Sequence, residues 1–156
     1  MRRRAAAAFM ILSIAACACN GADAGQASFP KPERPYRAEQ AAKNGDVVNL
    51  HGNYSNMSAW NKFLADLGNK EPSQVRITQY TIEGDPIFYE LVYDGKAITY
   101  TFDNSMDAHG GKKGRRTATC DGVEGKQNEH GEFAYTLNSC DSETGNTFYF
   151  PVVAAR

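Results

Sequence analysis

The 156-residue chain has almost no charge imbalance, four cysteines and a single tryptophan; 17 Lys+Arg stand against 18 Asp+Glu. A formal net charge of −1 argues against a nucleic-acid-binding protein, which usually carries a strong basic excess. No apolar run reaches the roughly 18 residues that a membrane-spanning helix needs. Neither GxSxG nor HExxH is present, and His51, His109 and His130 stand isolated, so no local catalytic signature announces an enzyme. No CxxC spacing supports a metal or redox pair. There is no internal repeat. What remains is an ordinary globular composition, 42% hydrophobic and 22% charged. The length allows one domain and little room for two.

The N-terminus reads as an export signal. Arg2, Arg3 and Arg4 precede an apolar stretch from Ala5 to Ala16, too short for a membrane anchor. Ile14-Ala15-Ala16-Cys17 then resembles a bacterial lipobox, in which the Cys thiol takes a diacylglyceryl group and becomes the new N-terminus. This predicts a signal peptide over 1–16 and lipidation of Cys17, with palmitate-type chains holding the protein on the extracytoplasmic face of the membrane. The alternative is an ordinary secretory peptide cut nearby. Cleavage leaves 14 basic against 18 acidic residues, a net −4. Cys19 acquires no role.

Residues 17–44 read as a flexible tether, rich in Ala and Gly and holding Pro30, Pro32 and Pro35. The single domain is expected over 45–156. Val47, Val48 and Leu50 suggest a strand. Asn56 or Ser55 can cap a helix that Gly68 ends, with Met57, Trp60, Leu64 and Leu67 on one side and Phe63 on its border. Asp94-Gly95 predicts a two-residue hairpin turn in which Leu91 faces Ile98, Tyr89 faces Tyr100 and Ile87 faces Phe102. A second turn at Glu83-Gly84-Asp85-Pro86 places Ile82 opposite Ile87 and Tyr80 opposite Tyr89. One face then carries Tyr80, Ile82, Ile87, Tyr89, Leu91, Ile98, Tyr100 and Phe102, and wants the helix over it. The other face mixes Ile77, Gln79, Thr81, Phe88, Glu90, Val92, Thr99 and Thr101. Strands near 117–124 and 132–140 are centred on a turn at His130, which makes a Cys120–Cys140 disulfide geometrically natural in an oxidising location. A last strand is expected at Thr147–Phe150. The fold class is therefore α+β: one N-terminal helix on an antiparallel meander sheet, with a disulfide-linked C-terminal hairpin.

Three places can carry chemistry. Glu83 and Asp85 should meet Asp103, Asn104, Ser105 and Asp107 at one end of the sheet. Oxygen donors at Asp103, Ser105 and Asp107 are spaced as in a calcium loop, although Ala108 and Gly114 stand where the loop Gly and the bidentate Glu belong. The competing reading is a solvated turn capped by its own Asx side chains. Tyr80, Tyr89 and Tyr100 should align across three strands, either as core or as a row on which sugar rings or a peptide stack. Lys112, Lys113, Arg115 and Arg116 can hold an anion such as a phosphate or wall polymer, or can be a solvated loop.

Arg76-Ile77-Thr78-Gln79-Tyr80-Thr81-Ile82-Glu83-Gly84-Asp85-Pro86-Ile87-Phe88-Tyr89 resembles a family of bacterial lipoproteins, domain-of-unknown-function family 4362. The resemblance continues through Tyr93-Asp94-Gly95-Lys96, Tyr100, the run from Asp103 to Ala108, Thr119-Cys120, Cys140 and Gly145-Asn146-Thr147-Phe148, covering roughly residues 45–150. It implies a lipoprotein setting in Gram-positive-type bacteria and a paired Cys120 and Cys140, and it implies no activity or catalytic residue. The expectation is a membrane-tethered, non-enzymatic binding module with a protein or cell-wall partner and no nucleic acid. The alternative is a small extracytoplasmic hydrolase or cation-binding protein using the acidic residues near 83–107.

Overall fold

A computed structural model describes residues 28–127, 129 and 132–152. The signal peptide, Cys17, Cys19 and His130 lie outside them. In chain order the elements are α1 (Ala38–Lys43), β1 (Val47–Leu50), β2 (Asn53–Ser55), α2 (Met57–Asn69), β3 (Ser73–Tyr80), β4 (Pro86–Tyr93), β5 (Ile98–Asp103), β6 (Arg115–Cys120), β7 (Gly122–Gln127), β8 (Phe133–Asn138), a 3-10 turn (Glu143–Thr147) and β9 (Tyr149–Val152). Six strands make one sheet in the order β2-β1-β3-β4-β5-β6, and three make a second, β7-β8-β9. The α+β class holds. The meander is antiparallel from β3 to β6, but β1 runs parallel to β3, because β2 and α2 return the chain to the same end before β3 starts. Among the described residues there are two α-helices rather than one.

Register decides what each face presents. At the Asp94-Gly95 turn, Leu91 faces Tyr100 and Tyr89 faces Phe102. The loop spans four residues instead of two. The Asp94 carboxylate accepts from the amides of Lys96 and Ala97 at 2.8 and 2.9 Å, and the Asp94 amide donates to the Ala97 carbonyl. The shift is even, so the expected faces of β4 and β5 survive. Between β3 and β4 it is odd: Tyr80 faces Pro86 and Ile77 faces Tyr89. The loop is Thr81–Asp85, closed by the Thr81 amide on the Asp85 carbonyl and the Gly84 amide on the Thr81 carbonyl, with Gly84 at φ 90. An odd slip turns every side chain of a strand over. Ile77 is therefore core, Tyr80 lies on the opposite face, and Ile82, expected in the core, is 90% exposed.

The main core joins Val47, Val75, Ile77, Leu91, Ile98 and Tyr100 to Trp60 and Phe63 of α2 and to Phe148 and Phe150. α2 is thus one part of the cover, and the second sheet supplies the rest. Trp60 meets Tyr135 and Phe150 edge-on at 5.0 and 5.2 Å between ring centres, a favoured arrangement for aromatic pairs. Phe63 is at the centre of the helix's buried stripe rather than on its border. The ends of α2 also differ from expectation. Asn56 sits at φ 58 and makes no side-chain cap; its amide instead donates to the carbonyls of Ala42 and Asp46. The helix runs past Gly68 to Asn69 and stops at Lys70, which takes the left-handed conformation at φ 59 just before Glu71-Pro72.

The Cys120–Cys140 disulfide is present. β7 and β8 pair with Gly122 opposite Asn138 and Val123 opposite Leu137, the register centred on residue 130 that the cysteine positions implied. Cys120 closes β6 in the first sheet while β7 opens the second, so the bridge ties the two sheets at their junction. The last strand among the described residues is β9, preceded by the 3-10 turn rather than beginning at Thr147.

The expected tether joins the fold well before residue 45. From Phe29 onward the chain lies against the face of the sheet that α2 leaves open, as a strap leading into α1. Tyr36 is 3% and Ala41 0% exposed, and they pack with Val48, Tyr80 and Phe88 in a second, smaller core. The Tyr80 hydroxyl donates to the Tyr36 carbonyl at 2.9 Å and Arg34 donates to the Ser105 carbonyl at 3.1 Å. A Pro-rich segment orders itself here because a ready-made apolar and polar surface receives it.

Candidate functional site

The face of the sheet beneath the strap is unusually polar, and register explains which residues meet there. Side chains alternate along each strand, so three rows of neighbours cross β3 to β6: Gln74, Val92, Thr99 and Thr119; Arg76, Glu90, Thr101 and Thr117; Thr78, Phe88, Asp103 and Arg115. The strap covers the β3 side. What stays open is a groove of about 450 Å³ whose floor includes Gln74, Arg76, Glu90, Thr99, Thr101 and Arg115 and whose wall is Ser28, Phe29, Lys31 and Pro32.

Arg76 is the anchor of this site, its side chain 1% exposed. Its Nε donates to Asp46 Oδ1 at 2.8 Å, its Nη1 to the Pro30 carbonyl at 2.7 Å and its Nη2 to the Tyr36 hydroxyl at 2.9 Å. Phe29, Tyr36 and Phe88 surround the guanidinium with ring centres 5.4–5.7 Å away. Asp46 is equally buried and accepts in addition from Tyr36 and Thr78 at 2.8 and 2.7 Å. A buried ion pair is tolerated only when its remaining donors and acceptors are also satisfied, and here they largely are. Burial pushes the Tyr36 phenol up to about 12, with Asn44 opposing and Asp46 reinforcing the shift.

Glu90 lies in the next strand, directly opposite Arg76, with its side chain 10% exposed. Oε1 is 3.6 Å from Arg76 Nη1, and Oε2 accepts from Arg115 Nη2 at 2.6 Å. Arg115 also approaches Asp103 Oδ2 at 3.8 Å. It differs from Arg76 in one decisive respect: its side chain is 58% exposed. The groove therefore presents a fixed, enclosed guanidinium, a carboxylate beside it, and an accessible guanidinium at its rim, with Lys31 exposed on the strap and Thr hydroxyls on the floor.

The acidic end of the sheet does gather in part. The Asp85 carboxylate accepts from the Ala108 amide at 2.7 Å, which joins the 81–85 loop to the 103–108 segment. Each Asp there is turned to local backbone amides: Asp103 accepts from Ser105 at 2.9 Å, and Asp107 from His109 and Gly110 at 2.9 and 2.7 Å. Asn104 bridges the loop, accepting from the Gly114 amide and donating to the Lys112 carbonyl. Glu83 is exposed in its own loop. These are the Asx turns weighed above, and among the described residues no group of three His, Cys, Asp or Glu is placed to hold a metal ion.

The basic quartet is dispersed. Lys113 donates to the Ala108 carbonyl at 2.8 Å, Lys112 is exposed in the loop, and Arg115 and Arg116 lie on opposite faces of β6. Arg116 stacks over Phe102, 4.9 Å from its ring centre. Only Arg115 lines the groove. The tyrosine row is split as well: Tyr100 is core and shares a hydrogen bond with Thr147, whereas Tyr80 belongs to the strap face. Sequence reasoning missed Asp46, Arg76 and Lys31 as site residues and treated Glu90 only as part of a mixed face. The available signal was the Arg76–Glu90 pair, which an odd change of register would have placed side by side.

Searches of curated proteins and of solved structures each find no match. The family comparison does, over a segment that includes Asp46, Arg76, Glu90 and Arg115 and excludes the strap residues Ser28–Pro32. Residues 44–136 match the family described as Domain of unknown function (DUF4362), which covers more than half of the chain, and the protein belongs to that family.

Proposed function

We propose that the protein is a lipid-anchored module on the extracytoplasmic face of the membrane, and that it binds a partner or ligand through the groove of the strap face rather than catalysing a reaction. The observation that carries this reading is the groove itself: polar and charged side chains from four strands and the strap converge on a concave surface, as ligand sites require. The pairing of its charges supports recognition, because Arg76 and Asp46 are held by hydrogen bonds in fixed positions with Glu90 beside them. The lipobox ending at Cys17 supports the anchor. Among the described residues no helix is long and apolar enough to cross a membrane. The acidic residues near 83–107 are occupied by their own loop, and no observation favours the hydrolase alternative.

Two measurements test this reading. Fatty-acid labelling and membrane retention are expected for the wild type and lost in Cys17→Ser; retention of both in the variant removes the anchor. A photo-reactive side chain placed at exposed Thr99, on the groove floor, is expected to form an adduct in intact cells that the same group at exposed Tyr149 does not form. Equal adducts, or none at Thr99, remove the groove as the binding face.

A further inference from the structure

We infer that the groove is an oxyanion site whose resting occupant is the protein's own Glu90, and that an incoming carboxylate or phosphate group takes the place of Glu90 on Arg115. This deepens the proposed binding role and rests on the groove being the binding face.

Position and exposure lead to this assignment. Glu90 spans two guanidiniums, at 3.6 Å from Arg76 and 2.6 Å from Arg115. The two arginines are unlike. Arg76 is locked by Asp46, Tyr36 and Pro30, so it cannot follow a ligand. Arg115 is at the rim, mostly in solvent, and its second partner, Asp103, is only at 3.8 Å. A planar guanidinium offers paired donors suited to the two oxygens of a carboxylate or phosphate. When Arg115 turns toward an external oxyanion, Glu90 keeps Arg76 beside it, so no buried carboxylate is stranded. Lys31 on the groove wall and the Thr99 and Thr101 hydroxyls on its floor supply further donors. The carboxylates of the site, by contrast, are enclosed: the side chains of Asp46 and Glu90 are 2% and 10% exposed. What a ligand meets first is positive, in a chain whose mature form carries a net −4. A local reversal of sign in a concave site concentrates anions there.

The sign of the Glu90 effect separates this site from one that binds a cation. Removing the internal competitor should tighten an oxyanion and weaken a cation. The test uses the full lipidated chain in neutral detergent micelles, titrated at constant ionic strength with inorganic phosphate and, separately, with acetate. Amide shifts of Glu90, Thr101 and Arg115 provide the readout. Saturable shifts are expected. Glu90→Gln should bind several-fold more tightly, and Arg115→Gln on the order of tenfold more weakly, the loss of one charge-assisted hydrogen bond. Lys31→Gln, on the exposed strap wall and away from the buried pairs, should also weaken binding, and it keeps the test decisive if either floor variant misfolds. Saturation by phosphate alone assigns phosphate-bearing ligands, by acetate alone carboxylate ligands, and by both the shared chemistry. The inference is overturned if neither probe saturates, if Arg115→Gln and Lys31→Gln bind as the wild type does, or if Glu90→Gln binds more weakly. Those results together with a Thr99 adduct would leave the groove as a binding face with a different ligand chemistry.

Discussion

Arg76 connects the strap, the residue before β1 and strand β4 through a single side chain. Breaking a buried pair by removing one partner leaves an uncompensated charge, which costs about 3–5 kcal/mol. Asp46→Ala is expected to lower the unfolding free energy by that amount in denaturant titrations, and by more than Glu90→Gln, because Glu90 meets Arg76 only at 3.6 Å. Tyr36 makes a prediction of a different kind. Its folded value of about 12 lies above the ordinary 10.0, so the fold disfavours the tyrosinate that the unfolded chain forms readily. Its stability contribution is intact below pH 10 and falls as the pH rises from there toward 12. Burial likewise raises Tyr80 and Tyr100. The tyrosinate absorbance of these three side chains is therefore expected to appear together with the loss of folded structure in alkaline titration, and their early, separate ionisation would contradict the burial described. None of these roles was legible from the residues alone, since a charge in a strand gives no sign of whether it is enclosed.

At the scale of elements, the two hairpins of the meander show what a turn motif conveys. Asp94-Gly95 located the turn between β4 and β5 and gave the correct faces, although the register moved by two places. Glu83-Gly84-Asp85-Pro86 located the next turn but not its length. Pro86 cannot donate to the ladder and is placed at the start of β4, while Thr81 is drawn into the loop, where its hydroxyl accepts from the Asp85 amide at 3.2 Å. That odd difference sends Ile82 into solvent and Ile77 into the core. Ile77→Ala should therefore cost about 2–5 kcal/mol, and Ile82→Ala within about 0.5 kcal/mol of nothing; the reverse ranking would restore the original register. The disulfide hairpin was more legible, because the cysteine positions and the hairpin centre agree. The 20-residue separation of Cys120 and Cys140 makes the bridge worth about 3 kcal/mol in the chain-entropy account. Paired Cys120→Ser and Cys140→Ser replacement should lower stability by about that much, and the bridge also holds Asp141 against β6, where it exchanges hydrogen bonds with Thr119.

For the molecule as a whole, the boundary of the folded unit is the main revision. A chain beginning at residue 45 would lack Tyr36, Ala41 and the Pro30 carbonyl that Arg76 holds. Burying one large side chain contributes roughly 1.5–3 kcal/mol, so such a chain is expected to be at least about 2 kcal/mol less stable than one beginning at residue 28, as measured by denaturant midpoints at unchanged slope. Equal stability would mean that the strap is a tether after all. The sequence by itself determined the α+β class, the helix around Trp60, the disulfide pairing and the register of the hairpin that it spans. Each of these follows from local periodicity, turn chemistry or a symmetric pair of cysteines. Only the tertiary structure decided that β1 joins the sheet parallel to β3, that a Pro-rich strap covers part of the second face, and that Arg76, Glu90 and Arg115 meet in one groove. Those residues come from three strands, and their meeting depends on the parity of a loop and on a surface that exists only once the sheet has formed.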